Sequence, residues 1–428
     1  MNKQTNVFND PNFIDPDPIH PNTKSLDVKQ DDKYKLTQVL ILSRHNIRSP
    51  MSGSGSLLSS ITPHDWFKWT SNPSELSLAG RELETKMGKY FREYYLSKGF
   101  LDDNWKPSGE EVRIYANSPQ RTIVTAESFV SGMFVNNKYD VEHHFEVGKM
   151  DPDFNLTLLI SNDSFRELAM KEINSYGGEK GLEGICEKLS DNYDVLKEVL
   201  DFYESDYYKE HGDFRLDDTK VILEQGKEPK IEGTLQLAVS ASDALTLQYY
   251  EDDNAKRAAF GDTVSNDEWT KISEITDVGV QVMFDYSNSI SYDVANPLLI
   301  QMKDELENKN RKFSFLCGHD SNIASVLSSL NVDDYYLPNA ISRKTPIGGK
   351  LVIEKWEKDN EMYATLSMVY QSTSQLRNKT ALSLANPPER YYLSFNELKT
   401  NEDGYYRYAD LISLFNKAIK AFDDLPRE

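Results

Sequence analysis

Cysteine is nearly absent. The 428-residue chain holds two, Cys186 and Cys317, which excludes a disulfide framework and allows one bridge at most. Cys317 lies inside the apolar stretch FSFLCG and reads as a buried free thiol. Positive charge is also in deficit, with 48 Lys and Arg against 69 Asp and Glu and a formal net charge of -21. Such a surface repels nucleic acid and anionic membrane, so neither is expected as a partner. It repels anionic substrates as well, so a phosphate site has to be built locally from arginine, histidine or helix N-termini. No apolar run reaches membrane-spanning length. The opening MNKQTNVFNDPNF has no basic segment followed by an apolar one. That leaves a cytoplasmic protein, or an exported one whose leader is not part of this sequence. The remaining composition, 39% hydrophobic and 27% charged, suits a soluble globular chain long enough for two domains or for one domain with a large insertion.

Residues 1–34, which include NDPNFIDPDPIHP, read as an N-terminal arm rather than a core element. LTQVLILS (36–43) is a short apolar, β-branched run and predicts a buried strand. After a loop at 71–73, LSLAGRELETKMGKYFREYYLSKGF has helical spacing, with Leu83, Met87, Tyr90 and Phe91 on one stripe. VRIYANS predicts a second strand, and Pro119 opens a helix through RTIVTAESFVSGMF. LKEVLDFYES, ALTLQYYEDD and VQVMFDYSN predict a mainly helical middle. KFSFLCG (312–318) is a third buried strand, LVIEKW and MYATLSMVY are paired strands, and ADLISLFNKAIKAF is a closing helix. The pattern predicts an α/β domain made from both chain ends, 35–150 and 300–428, with a mainly helical inserted cap at 151–299.

Each of the three buried strands ends in unusual polar residues. The first runs into Ser43-Arg44-His45-Asn46-Ile47-Arg48, the second through Asn117-Ser118 to Gln120 and Arg121, and the third into Gly318-His319-Asp320-Ser321-Asn322. If the strands are parallel neighbours, three arginines, two histidines and an aspartate share one cleft, the usual place for a site in an open α/β sheet. This inventory suits phosphoryl transfer. Arginine forks match phosphate oxygens, a neutral imidazole can attack phosphorus, and a carboxylic acid can protonate the leaving oxygen. No metal or other cofactor is required. Taken singly, RHNIR reads equally as a surface patch and GHDSN as a turn with a core histidine; their joint occurrence after three strands carries the argument.

Other features carry less. His143 and His144 follow Glu142, but neighbouring strand residues point to opposite sides and cannot both bind one metal, so no metal site is expected. MSGSGSLLSS lacks the third glycine of a dinucleotide fingerprint and reads as a loop beside the site. EDDN at 251–254 is too short for a calcium loop, and TPIGGK too short for a P-loop. Trp66 and Trp69 either line a substrate pocket or cover the core.

LSRHNIRSP resembles the RHGxRxP motif of the histidine acid phosphatases, and GHDSN their HD pair. The ordered series SRHNIRSP, NSPQRTIVTA, MDPDFN, LTLQYYE, GHDSNIASVL, TPIGGKLV and YQSTSQLRN resembles the bacterial glucose-1-phosphatase branch from about residue 35 onward. The resemblance implies a phosphoglycerate mutase-like three-layer α/β domain with an inserted helical domain. It implies His45 as nucleophile, Asp320 as proton donor, and Arg44, Arg48, Arg121 and His319 as phosphate ligands. Glu251 would lie on the substrate side, where an acid favours sugar hydroxyls over the many phosphates of phytate. The implied activity is metal-independent hydrolysis of a small phosphorylated substrate such as glucose 1-phosphate, at acidic pH, through a phosphohistidine. A phytase, a mutase and a non-catalytic sugar-phosphate binder are the alternatives; the HD pair disfavours the mutase. Asn46 departs from the usual glycine, as it does in the glucose-1-phosphatase branch. Relatives are exported and carry several disulfides, so a periplasmic or secreted location is expected, although this chain can form at most one bridge.

Overall fold

A computed structural model describes residues 23–427, apart from residues 31, 52–54, 103 and 138. The described part of the N-terminal arm lies along the sheet edge. The Leu26 N–H donates to the Tyr392 carbonyl at 3.1 Å, and the Tyr34 ring stacks on Tyr405 at 3.9 Å. Residues 1–22 of the arm and part of MSGSGSLLSS lie outside the described residues.

The apolar runs form the sheet. Strands β1 (Lys35–Arg44), β2 (Val112–Ala116) and β5 (Phe313–Gly318) are joined by β6 (Lys350–Lys358), β7 (Glu361–Tyr370), β8 (Glu389–Tyr392) and β9 (Tyr406–Arg407). The order is β2-β5-β1-β6-β7-β8, with β9 also on β7. β1 and β2 both pair parallel to β5, and β6 and β7 pair antiparallel. The three strands with polar ends are therefore parallel neighbours.

Period-two alternation sorts each strand between two faces. Val39, Ile41, Phe315 and Val352 bury one face under helices Leu78–Ser97 and Gln120–Met133. Leu40, Leu42, Leu316 and Ile353 bury the other under helices Asn296–Glu307, Asp320–Ser329 and Tyr408–Ala421. Helix Asn296–Glu307 belongs to this layer through Leu298, Leu299 and Met302.

The middle of the chain forms its own core from helices Asp163–Ser175, Ser190–Val199, Thr234–Glu251, Asn266–Phe284 and Asn288–Val294. It also contains a feature that the periodicity did not reveal, a short antiparallel hairpin of β3 (Lys220–Ile222) and β4 (Lys230–Glu232). Three-residue strands are too brief to show alternation. Ile47 and Ile347 of the α/β domain pack into this helical core, so the insertion sits directly on the loops that follow the strands. Both cysteines are buried and unpaired. Burial in apolar surroundings pushes both thiols up from their ordinary range. Among the described residues no helix is long and apolar enough to cross a membrane.

Candidate active site

The carboxyl ends of β1, β5 and β2 carry the three polar clusters side by side. Arg44 is opposite Gly318 in the β1–β5 register, the His45 N–H donates to the Gly318 carbonyl at 3.1 Å, and the Asn117 N–H donates to the Cys317 carbonyl at 2.9 Å. Two helices start at this edge. Pro119 caps helix Gln120–Met133 and puts Arg121 in its first turn. His319 caps helix Asp320–Ser329 and puts Asp320 in its first turn. The N-terminal ends of both helices thus lie at this edge, where the helix dipole favours negative charge.

His45 is buried, and its Nδ1 lies 2.8 Å from the Asn46 carbonyl oxygen. A carbonyl can only accept, so Nδ1 carries the proton and Nε2 keeps its lone pair. Burial first, then the positive charge of Arg121 and Arg48, holds the imidazole well below the ordinary histidine range. The ring is neutral at mildly acidic pH and can act as a nucleophile. The His319 ring lies 5.5 Å from the His45 ring and is likewise depressed by burial and by Arg121.

Three guanidinium groups converge here. Arg44 donates to the Thr345 carbonyl and pairs with Asp320 at 3.0 Å. Arg48 donates to the Ser49 carbonyl at 3.1 Å and pairs with Asp243 of the insertion at 3.1 Å. Burial lowers Arg121 to about 10, so it remains cationic. The Nε–H of each of the three arginines is buried and has no hydrogen-bond partner among the described residues. All three arginines act electrostatically on the His45 ring, and that concentration of positive charge suits an oxyanion. Asp320 responds to two opposing effects. Burial raises its pKa, but Arg44 and the Ser321 N–H outweigh it and the carboxyl sits below its ordinary range.

The loop carrying His45 rests on a buried ion pair. Lys350 Nζ and Glu84 Oε1 are 2.7 Å apart, and both side chains are 0% exposed. Asn46 Nδ2 donates to Glu84 Oε2 at 2.9 Å, and Lys350 donates to Ser43 Oγ and to the Gly348 carbonyl. A Cβ on Gly348 would lie 2.5 Å from Asn46 Nδ2. The asparagine side chain therefore fills the space against Gly348.

The structure thus brings His45, Asp320, Arg44, Arg48, Arg121 and His319 together. Glu251 is not among the acids that act on Arg121. It accepts from Ser77 Oγ at 2.7 Å and is raised by burial, with Lys379 and Asp253 as its charged neighbours. The acids from the insertion that act on the arginines are Asp243 and Glu228, the latter on the β3–β4 hairpin. Asn117, at the end of β2, has a role that its position alone does not announce. Its Oδ1 accepts from the Ser118 and Asp151 N–H groups, so its Nδ2 donates to His319 Nε2, at 2.9 Å. The one available signal was its position at the strand end.

Comparison with known proteins agrees with this geometry. The sequence pattern of the histidine phosphatase superfamily (branch 2) matches residues 35–370. The chain belongs to that superfamily. As a histidine acid phosphatase it is 35% identical to a glucose-1-phosphatase of Providencia rettgeri over 412 residues, covering 94% of this chain and 96% of the relative. It is 33% identical to a glucose-1-phosphatase of Salmonella typhimurium over 395 residues, covering 90% of this chain and 93% of the relative. Its fold matches that of the Hafnia alvei phytase, with a TM-score of 0.83 at 23% identity, over 93% of this chain and all of that one.

Proposed function

We propose that this phosphatase hydrolyses small sugar phosphates of the glucose 1-phosphate type through a phosphohistidine on His45. The observation that carries the reading is the convergence of Arg44, Arg48 and Arg121 on a buried imidazole whose Nδ1 is turned to a carbonyl, leaving the Nε2 lone pair for attack. In this mechanism the phosphoryl group is held by Arg44, Arg48, Arg121 and His319. His45 Nε2 attacks phosphorus, the phosphorus–oxygen bond to the sugar breaks, and Asp320 protonates the departing oxygen. Water then attacks the phosphohistidine, Asp320 takes its proton, and phosphate and free His45 are regenerated.

Asp320 is paired with Arg44 before substrate binds. A phosphate dianion that shares Arg44 weakens that pair and adds negative charge, so the carboxyl is raised and can hold the proton it must give. This argues for an acidic pH optimum. The arginines provide the positive charge at phosphorus, so the proposed steps use no metal ion.

Specificity for a monophosphorylated sugar is supported by Asp243 and Glu228. Carboxylates at the mouth accept hydrogen bonds from sugar hydroxyls and repel the additional phosphates of an inositol hexakisphosphate. In this reading they take the role that the family resemblance gave to Glu251. The fold likeness to a phytase keeps phytate as the competing substrate. Export to the periplasm is part of the same reading, and cell fractionation checks it.

The deciding experiment measures initial phosphate release from glucose 1-phosphate, phytate and p-nitrophenyl phosphate with EDTA present, from acidic to neutral pH, alongside His45→Ala. The expected result is preference for glucose 1-phosphate and a loss of several powers of ten in the variant. Preference for phytate would overturn the specificity, and rates independent of His45 would overturn the mechanism.

A further inference from the structure

Beyond the phosphate pocket, at the far edge of the sheet, His144, Asp151 and Asp153 converge on the Tyr115 hydroxyl. The phenol oxygen is 2.8 Å from Asp151 Oδ2, 3.0 Å from Asp153 Oδ2 and 3.1 Å from His144 Nδ1. His144 Nδ1 is 3.4 Å from Asp151 Oδ2, and the three ligand-type atoms all lie within 4.8 Å of one another.

Proton counting exposes the problem with this cluster. His144 Nε2 lies 2.6 Å from Glu142 Oε1, and a carboxylate accepts, so in the neutral ring the proton is on Nε2 and Nδ1 is an acceptor. Three acceptors, the Nδ1 lone pair and two carboxylate oxygens, are then served by a single phenolic proton. Asp151 Oδ1 is already used by the Asp153 N–H at 3.0 Å, so Oδ2 is the atom turned inward. Asp151 is buried. The nearest cation, Arg113, is committed to Glu142 and Glu305. Apart from His144 itself, no cationic side chain is hydrogen-bonded to Asp151 or Asp153 among the described residues.

We infer that this cluster binds a divalent transition-metal cation of the zinc type, with His144 Nδ1, Asp151 Oδ2 and Asp153 Oδ2 as ligands. Bond lengths of about 2.0–2.2 Å place tetrahedral ligand atoms roughly 3.4 Å apart, the separation found between His144 and Asp151. Nitrogen with carboxylate oxygen is a donor set for zinc and its neighbours rather than for calcium or magnesium. Glu142 supplies what a metal-bound histidine usually has, a carboxylate on its other ring nitrogen. His143 takes no part, since its Nδ1 is turned to the Phe145 carbonyl. The two adjacent histidines thus face different partners, and His144 finds its co-ligands in the MDPDFN loop. In this proposal one histidine is enough to complete the site. It is separate from the arginine pocket but linked to it, because the Asp151 N–H donates to Asn117 Oδ1 and Asn117 holds His319.

The test is titration of chelator-stripped full-length protein with Zn²⁺ against a chromophoric chelator, with Co²⁺ absorption as a second probe. One equivalent per chain is expected, with tetrahedral cobalt bands. His144→Ala and Asp153→Asn should each weaken binding by at least about 100-fold, and Glu142→Gln by roughly 10–100-fold. Circular dichroism checks that each variant is folded, and His144→Ala should keep its basal phosphatase rate in EDTA. No stoichiometric binding by the parent protein, or binding unchanged in folded His144→Ala and Asp153→Asn, overturns the inference. So does a ¹⁵N spectrum in which His144 is doubly protonated and unmoved by Zn²⁺, because the proton would then fill the cation's place.

Discussion

Lys350→Met tests the foundation of the nucleophile loop. The substitution keeps most of the side-chain volume but removes the ammonium that faces Glu84, and both partners are 0% exposed. Glu84 would retain the Asn46 amide at 2.9 Å as a donor, which cannot neutralise a buried carboxylate. Breaking a buried pair from one side costs about 3–5 kcal/mol. Against a typical total of about 5–15 kcal/mol, that is a substantial share. Removing both charges in Glu84→Met/Lys350→Met leaves no buried charge unpaired; the Asn46 amide loses its acceptor, and Ser43 Oγ and the Gly348 carbonyl lose a donor, each about 1–3 kcal/mol if nothing replaces it. Equilibrium urea unfolding followed by tryptophan fluorescence would read both values. The double variant should recover at least about 2 kcal/mol relative to the sum of the two single ones. Phosphate release should fall in Lys350→Met, because the ammonium also holds the Gly348 carbonyl and the Gly348 N–H donates to the His45 carbonyl. A single-variant cost below about 1 kcal/mol, or strict additivity in the cycle, would refute the view that the pair acts as a unit.

Three further outcomes follow from the site. Asn117→Ala removes the donor to His319 Nε2 and should lower kcat/KM by roughly 10–100-fold; it also strands the Ser118 and Asp151 N–H groups, so the urea midpoint should fall as well. Asp243→Asn frees Arg48 from its ion pair, so inorganic phosphate should inhibit roughly five- to tenfold more tightly, near the upper range for a partly exposed pair; unchanged inhibition would show that Asp243 does not compete for the guanidinium. The third concerns pH. His45 is depressed in the folded state, so the unfolded chain takes up a proton near pH 6.5 that the native ring refuses. The stability linked to that group is present above pH 6.5 and is lost as the pH falls below it. His45→Ala should therefore lose stability less steeply between about pH 6.5 and 5, by up to about 1.4 kcal/mol per pH unit; parallel curves in urea unfolding would contradict the assigned charge state.

The part of the site that was legible in the sequence is the part built by local rules. β-Branched apolar runs mark strands, and a run that ends abruptly in Arg-His or His-Asp marks where a strand leaves the core. Three such endings brought together six of the seven expected residues. Glu251 rests on a resemblance alone. Helical phase decides which acid on Thr234–Glu251 faces the cleft, and only packing of the whole insertion sets that phase. Asp243 and Glu228 come from a different domain from the arginines they face, and nothing local distinguishes them from other surface acids. Asn117 looked like a strand-end residue until its neighbours Asp151 and His319 were placed around it. The β3–β4 hairpin had too few residues to display a period. No local signal ties His144 to its proposed co-ligands, which lie seven and nine residues further on in a loop.

β1 has a consequence for how the molecule is made. It is an inner strand of the sheet, between β5 and β6, with Val39 opposite Phe313 and Glu354. Some 270 residues must be synthesised after β1 before the first partner exists, which at about 5–20 residues per second is roughly 15–50 s. Through that interval LTQVLILS is an unpaired apolar strand, competent to join any other chain in the same condition. The helical insertion, made in between, can collapse on its own core well before the sheet is complete. Folding of this enzyme is therefore set by the wait for its last third. Nascent chains that stop before Phe313 should be strong clients of chaperones and prone to aggregate.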